Sequence, residues 1–351
     1  MFRHKAIQLG LLVLTVAFVA SGCGEQEEQT SGTLPGGVGE KQVKPGETRP
    51  EVVVGFSIFD MQYSFFQEME EGTREACKEL NYGYILHDQK SDPALMVSGC
   101  ENLMTQGIDI LIISPFEPSA LGPIVKKAKD RGIPVVINDI GGGSSAYDAI
   151  IISDCYGGGV IGANYIVKQL AKRTDAAKEV GILKCYPDHV YAIRRGEGFR
   201  DTMVKLGYET YELCANSSRD QGYRVAQDML TAHPKICAIF AEDDAMALGA
   251  IQAIRDAGKS AISDVLVVGF DAAPEGIEAI QAGIMAATVR QKPYEMGKQC
   301  VMLVESLLKG EKLTFTNPEL REITVPVDLV TQENIDELYP QTAKEKDEEG
   351  R

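Results

Sequence analysis

Tryptophan is absent from this chain of 351 residues, and basic residues are scarce relative to acidic ones, 35 Lys and Arg against 51 Asp and Glu. Nucleic-acid-binding surfaces are usually basic, so a net charge of -16 argues against a DNA or RNA partner. Beyond one short apolar run near the N-terminus, no stretch is long enough to span a bilayer, which excludes a polytopic membrane protein. The composition, 44% hydrophobic and 25% charged, is typical of a globular protein of two or three domains.

Metal-binding and redox motifs are also missing. None of the eight cysteines forms a CxxC pair, and the four histidines form no HExxH motif, so we expect no zinc site and no cofactor. Most cysteines lie in apolar runs, where they are typical small buried hydrophobic residues. The alternative for two of the cysteines is one disulfide, for example between Cys185 and Cys214.

The N-terminal segment has the pattern of an export signal. A basic start, a short apolar core and small residues precede Cys23, which resembles the signal of a bacterial lipoprotein. We therefore expect a signal peptide at 1–22, a lipidated Cys23 and a polar, Gly- and Pro-rich tether over 23–50. An ordinary secretory signal is the alternative. A polar tail is expected at 339–351, and the protein should lie outside the cytoplasm, anchored to the cell membrane by lipid alone.

From residue 51 onward, short β-rich apolar runs alternate with amphipathic helical stretches. This alternation predicts an α/β fold of parallel sheets flanked by helices. Ten strands are predicted before the C-terminal segment, and two sheets of about five suit them better than one sheet of ten. The predicted strands are Val52–Ser57, Tyr82–His87, Asp109–Ser114, Pro134–Asp139, Ala149–Ser153, Glu179–Cys185, Tyr208–Cys214, Ile236–Ala241, Val265–Asp271 and Met285–Val289.

The two halves repeat the same order of strand, loop, helix and strand ending in Asp, which predicts two Rossmann-like lobes with a ligand cleft between them. Ligands of open α/β sheets lie beyond the carboxyl ends of the strands. Several carboxyl and other polar groups there suit a ligand rich in hydroxyl groups, although each residue could instead cap the following helix. The polar residues at these ends are Ser57, Ser114, Asp139, Asp243, Asp271 and Gln291.

A series of short motifs carries a family resemblance. They occur at 63–66, 113–115, 195–199, 231–234, 243–250, 267–271 and 326–330. Together they resemble the ribose-binding-protein-like (type I) periplasmic sugar-binding proteins of ABC transporters, from about Val52 to Asn334.

The resemblance implies roles for individual residues. Phe65 and Phe66 would sandwich the sugar ring, with either Phe59 or Tyr63 compensating for an aromatic residue that ribose binders carry in the second lobe. Arg195 would be the main fixed cation and Asp243 a binding residue, whereas Asp244 would cap a helix. Ser114, Asp139, Asp271 and Gln291 match further binding positions of the family. Ile140 stands where Arg is frequent and Ser217 where the second-lobe aromatic lies, so an altered sugar site is implied.

The resemblance also implies the domain organisation. The first lobe would hold residues 51–153 plus 292–323 and the second 154–291 plus 324–338, joined by a hinge of three chain crossings. The lobes would close on a monosaccharide, a pentose or hexose, and the loaded protein, a monomer, would deliver it to an ABC transporter permease.

Three other functions fit the sequence less well. A GxGxxG pattern at 157–162 is a formal dinucleotide fingerprint but lies in mid-chain without a matching acidic residue at a strand end. Carboxylate pairs such as Glu242 and Asp243 could cleave glycosides, yet we expect no enzyme activity. A regulator of the lactose-repressor type is also disfavoured, because it would need a basic N-terminal helix-turn-helix. The open alternatives are presentation of a sugar to a chemoreceptor or sensor kinase, and a cyclitol or nucleoside as ligand.

Overall fold

The computed structural model describes residues 50–173, 177–187 and 190–339. The expected signal peptide, Cys23 and nearly all of the expected tether and tail lie outside these residues. Among the residues that are described, no helix combines the length and apolarity needed to cross a membrane.

The described chain forms two six-stranded sheets, one in each lobe. The first sheet has the order β11-β5-β4-β3-β1-β2 and the second β12-β10-β9-β8-β6-β7. All pairings are parallel except that of β12 with β10. The strands are β1 Val53–Ile58, β2 Gly83–Asp88, β3 Ile110–Ile113, β4 Val135–Asn138, β5 Ala149–Ser153, β6 Glu179–Lys184, β7 Glu209–Cys214, β8 Ile236–Ala241, β9 Leu266–Phe270, β10 Ala287–Arg290, β11 Glu322–Val325 and β12 Asp328–Thr331.

Helices cover both faces of each sheet. Strands covered in this way read as continuous apolar runs, and β1, β3, β4, β5, β8 and β9 are buried along their whole length. The helices are α1 Ser64–Glu79, α2 Pro93–Thr105, α3 Leu121–Asp130, α4 Cys155–Leu170, α5 Val190–Lys205, α6 Arg219–Ala232, α7 Asp244–Asp256, α8 Pro274–Gln281, α9 Pro293–Met302, α10 Val304–Leu308 and α11 Ile335–Leu338, with one 3-10 turn at Pro118–Ala120.

The ten strands predicted from periodicity are all present, and the α/β prediction of two lobes is confirmed. Each sheet gains a sixth strand from the C-terminal segment. We expected the second lobe to resume at residue 324, but Glu322–Val325 pairs with β5 in the first sheet and Asp328–Thr331 with β10 in the second. The chain crosses at Pro326 and Val327 instead, because a proline lacks the N–H group needed to continue the strand.

The three crossings between the lobes are short. They lie at Asp154, at Gln291 and Lys292, and at 326–327. Helix α5 of the second lobe packs tightly on α4, since a Cβ atom added at Gly159 would lie 2.0 Å from the Arg195 carbonyl oxygen. This close approach fixes the N-terminal half of α5 beside the hinge.

Candidate functional site

A cavity of about 670 Å³ lies between the two lobes at the carboxyl ends of both sheets. Both lobes and the crossing at Gln291 contribute side chains to it. Seven of the ten binding residues predicted from the sequence line this cavity: Tyr63, Phe65, Phe66, Asp139, Arg195, Asp271 and Gln291.

Two aspartates occupy equivalent positions in the lobes. Asp139 follows β4 and Asp271 follows β9, the third strand in the order of each sheet. Both have left-handed backbone conformations, with φ values of 61° and 103°, and so do Ile140 and Ala272 after them. Such conformations cost energy in residues other than glycine and cluster at binding sites.

Arg195 is held in place by several groups of the second lobe. Its Nη1 atom donates to the Glu242 carbonyl oxygen at 2.6 Å and lies 3.0 Å from Asp271 Oδ1. Its guanidinium carbon lies 4.0 Å from the centre of the Phe270 ring. In addition, Gln291 Nε2 donates to Asp271 Oδ1 at 2.7 Å. A cation, a carboxylate and an amide are thereby fixed at one wall of the cavity.

The electrostatics of the site follow from burial. Burial raises the pKa of Asp139 to about 6, while Arg195 opposes and Asp271 reinforces this shift. Burial likewise raises the pKa of Asp271, with Arg195 opposing it. Two buried atoms of this wall, Arg195 Nε and Gln291 Oε1, have no hydrogen-bond partner within the described structure. The site therefore offers both a donor and an acceptor to a polar ligand.

The opposite wall is aromatic and belongs to the first lobe. Phe65 and Phe66 lie in the first turn of α1, and their rings meet edge to face at a centroid distance of 5.2 Å. The Phe59 ring stacks on the Phe66 ring at a centroid distance of 4.9 Å, and Tyr63 is half exposed. Aromatic faces of this kind pack against the C–H face of a sugar ring.

Three predicted binding residues do not line the cavity. Ser57 is fully buried, and its hydroxyl accepts a hydrogen bond from Gln89 Nε2 at 3.0 Å. Ser114 is also fully buried. Asp243 caps α7 by accepting from the Met246 N–H at 2.8 Å, so it performs the helix-capping role that any strand-end Asp could perform.

Asp244 corrects another expectation, because it does not cap the helix. Its carboxylate is buried, accepts from Thr288 Oγ1 at 2.6 Å and from the Ala273 N–H at 2.8 Å, and thus braces the turn that follows Asp271. The expected cap is provided by its neighbour Asp243.

The sequence reasoning missed several residues that line the outer part of the cavity. They lie on α1, on α8 and after α11, whereas the sequence prediction considered residues at the carboxyl ends of strands. These residues are Glu68, Ile277, Glu278, Gln281 and Tyr339. Arg290, the last residue of β10, was missed because its neighbour Gln291 was chosen at that strand end.

A buried ion pair joins the two lobes beside the cavity. Arg194 on α5 donates to both carboxylate oxygens of Glu322 on β11, at 2.9 and 3.0 Å, and the Tyr191 hydroxyl lies 3.3 Å from the same carboxylate. The Glu322 side chain is 3% exposed and that of Arg194 25%. We call this contact the Arg194–Glu322 bridge.

The described residues contain no cluster of His, Cys, Asp or Glu that could hold a metal ion. The seven cysteines of this part of the chain are free thiols in the structure, including Cys185 and Cys214. The Cys214 thiol lies 3.0 Å from the Cys185 carbonyl oxygen and 2.9 Å from Asn216 Oδ1.

Comparison with known proteins agrees with this architecture. A family model described as a periplasmic binding protein domain matches residues 54–312. The ribose import binding protein RbsB of Escherichia coli (strain K12) is 34% identical over 266 residues, covering 76% of this chain and 88% of that protein.

Two solved structures are similar over 84% of this chain. The periplasmic ribose ABC transporter protein of Conexibacter woesei DSM 14684 has a TM-score of 0.74 and 28% identity, with 96% of its chain covered. A solute-binding protein of Bacillus halodurans C-125 with bound myo-inositol has a TM-score of 0.67 and 26% identity, with 98% covered. The chain belongs to the periplasmic binding protein family, as a type I member of the ribose-binding kind that serves ABC transporters.

Proposed function

We propose that this protein captures a monosaccharide in the cavity between its lobes by hinge closure and delivers it to an ABC transporter permease. The observation that carries the proposal is the convergence of Asp139, Arg195, Asp271 and Gln291 on a cavity whose opposite wall is formed by Phe65 and Phe66. Hydroxyl groups can donate to the carboxylates and accept from the guanidinium and amide, while the C–H face of the ring packs on the aromatic wall. No chemical step is involved.

The ligand is proposed to be a pentose or hexose. Ribose appears in the names of a relative and of a solved neighbour, and myo-inositol in another, so a cyclitol is included in the test. The full chain is purified in detergent, stripped of ligand by unfolding and refolding, and screened by thermal shift against pentoses, hexoses, myo-inositol, nucleosides and amino acids. A ligand at about 1,000 times its Kd adds roughly 4 kcal/mol, which raises Tm by several degrees.

The site residues are tested by calorimetry with the best ligand of that screen. Arg195→Ala and Asp271→Ala should each weaken binding by at least about 100-fold, because each removes charge-assisted hydrogen bonds to the sugar. Lys126→Ala is the control, since its ion pair with Asp130 on α3 is exposed and neither residue lines the cavity. Unchanged affinity in either site variant would remove that residue from the site.

We also propose that the protein is exported and anchored through lipid on Cys23, which places the binding lobes outside the cytoplasm. The support is the apolar run and the small residues that precede Cys23. Cys23→Ala should abolish incorporation of labelled fatty acid and release the protein from the membrane fraction. Retention of the label would show that the lipid lies elsewhere.

A further inference from the structure

An unpaired buried amide lies at the end of β4. Asn138 is fully buried, yet neither its Nδ2 nor its Oδ1 atom has a hydrogen-bond partner within the described structure. Burying an amide without partners costs folding free energy, so native proteins rarely keep one unless it serves a ligand or a bound water. By contrast, Gln89, another fully buried amide of the same lobe, is paired at both ends of its side chain.

A second unpaired group lies beside it. The pairing of Ile113 with Ile137 makes Ser114 and Asn138 the next neighbours on adjacent strands. Side chains alternate along a strand, so both lie on the face that carries Ile112 and Val136. The Ser114 hydroxyl is also fully buried and lacks a partner. We refer to the Ser114 hydroxyl and the Asn138 amide as the polar notch.

Neither residue of the polar notch lines the cavity, but both have neighbours that do. Asn138 directly precedes Asp139, which lines the cavity. The face of the sheet that holds the notch packs on a cluster containing Phe66, and Phe66 lines the cavity as well.

In the second lobe, Phe270 occupies the position that is equivalent to Asn138. Phe270 ends β9 and precedes Asp271, as Asn138 ends β4 and precedes Asp139. Phe270 is fully buried, yet its ring supports the Arg195 guanidinium at 4.0 Å. A fully buried residue at this position thus contacts the binding machinery directly.

We propose that the polar notch pairs with one hydroxyl group of the bound sugar when the lobes close, and that Asn138 thereby selects the configuration at that carbon. A hydroxyl group both donates and accepts, which matches an amide that offers one acceptor and two donors. This inference rests on the proposed function, since it requires a hydroxylated ligand in the cavity.

The test replaces Asn138 by an apolar residue of similar size. Asn138→Leu should raise Tm of the ligand-free protein, because an unpaired buried amide is removed, and should weaken the affinity for the best sugar of the thermal-shift panel by at least about tenfold. Tyr84→Phe is the control, because it removes a buried hydroxyl from β2 at the far edge of the same sheet, and it should leave the affinity unchanged. Asn138→Ala, which adds no bulk, replaces the Leu variant if that one does not fold.

A structural role alone would give different results. Against monodeoxy analogues of the sugar, the parent protein should lose affinity most strongly for one position, and Asn138→Leu should no longer distinguish that analogue from the full sugar. Unchanged affinity in Asn138→Leu would overturn the inference while leaving the proposed function intact. So would a lowered Tm with unchanged affinity, which would mark a bound structural water. Failure of every sugar to bind the parent protein would overturn both.

Discussion

The Arg194–Glu322 bridge is expected to control how readily the lobes close. Arg194→Met keeps the length of the side chain but removes its charge, and it leaves the Glu322 carboxylate, 3% exposed, without a cationic partner. Removing one partner of a buried ion pair typically costs about 3–5 kcal/mol. Because Arg194 itself is one-quarter exposed, we expect a smaller cost of about 2–3 kcal/mol here.

This cost should fall on closure rather than on global unfolding. The two residues belong to different lobes. We therefore expect opening of the hinge to give water access to Glu322 and to relieve the penalty. An energy of about 2–3 kcal/mol corresponds to roughly a 30- to 150-fold change in the equilibrium between open and closed forms. The apparent affinity for sugar falls by up to the same factor, since only the closed form holds the ligand tightly.

Calorimetry measures the affinity, and small-angle X-ray scattering measures the radius of gyration of the ligand-free protein. Arg194→Met should bind more weakly and become more expanded, and the double variant Arg194→Met/Glu322→Gln should recover part of the loss because no unpaired charge remains. Lys126→Met, which breaks an exposed pair within the first lobe and away from the cavity-lining residues, should change neither quantity. An Arg194→Met protein with the affinity and radius of the parent would refute the role of the bridge.

Two further outcomes are expected. The pKa of Asp139 in the ligand-free protein, about 6, lies above the usual 3.8. Below pH 6, a sugar that binds the Asp139 carboxylate must therefore displace a proton. The affinity for sugar, measured by calorimetry, should fall by up to about tenfold per pH unit in that range. The Asp139→Asn variant should bind the sugar more weakly at neutral pH, and its affinity should fall less steeply with decreasing pH. If the variant and the parent protein show the same dependence of affinity on pH, the titration belongs to another group. Gly72→Ala should lower the free energy of unfolding in urea by about 1–3 kcal/mol, because the added Cβ would lie 2.0 Å from the Tyr294 carbonyl oxygen. Gly122→Ala, on a helix with open space around it, should be neutral or stabilising, and equal effects of the two changes would contradict the packing argument.

Much of the cavity was accessible from the sequence because parallel sheets present their strand ends at one edge. Asp139, Asp271 and Gln291 were found by that rule alone, and all three line the cavity. The same rule also selected Ser57 and Asp243, which the structure uses internally. A strand-end polar residue can face the ligand or cap the next helix, and local sequence does not distinguish the two outcomes.

The family resemblance supplied what periodicity could not. Phe65, Phe66 and Arg195 lie on helices rather than at strand ends, and they were chosen because their motifs match those of sugar-binding proteins. Each of them lines the cavity. Their binding roles remain predictions until the variants are measured.

By itself, the sequence determined the strands, the two-lobed α/β fold and the edge where polar groups gather, because hydrophobic periodicity and strand direction are local properties. Only the tertiary structure decided which side chains meet. Arg194 and Glu322 are 128 residues apart, and neither segment of the sequence predicts their contact. The brace formed by Asp244 and the unpaired amide of Asn138 are likewise results of packing, since a hydrogen bond is gained or lost according to the neighbours that the fold supplies.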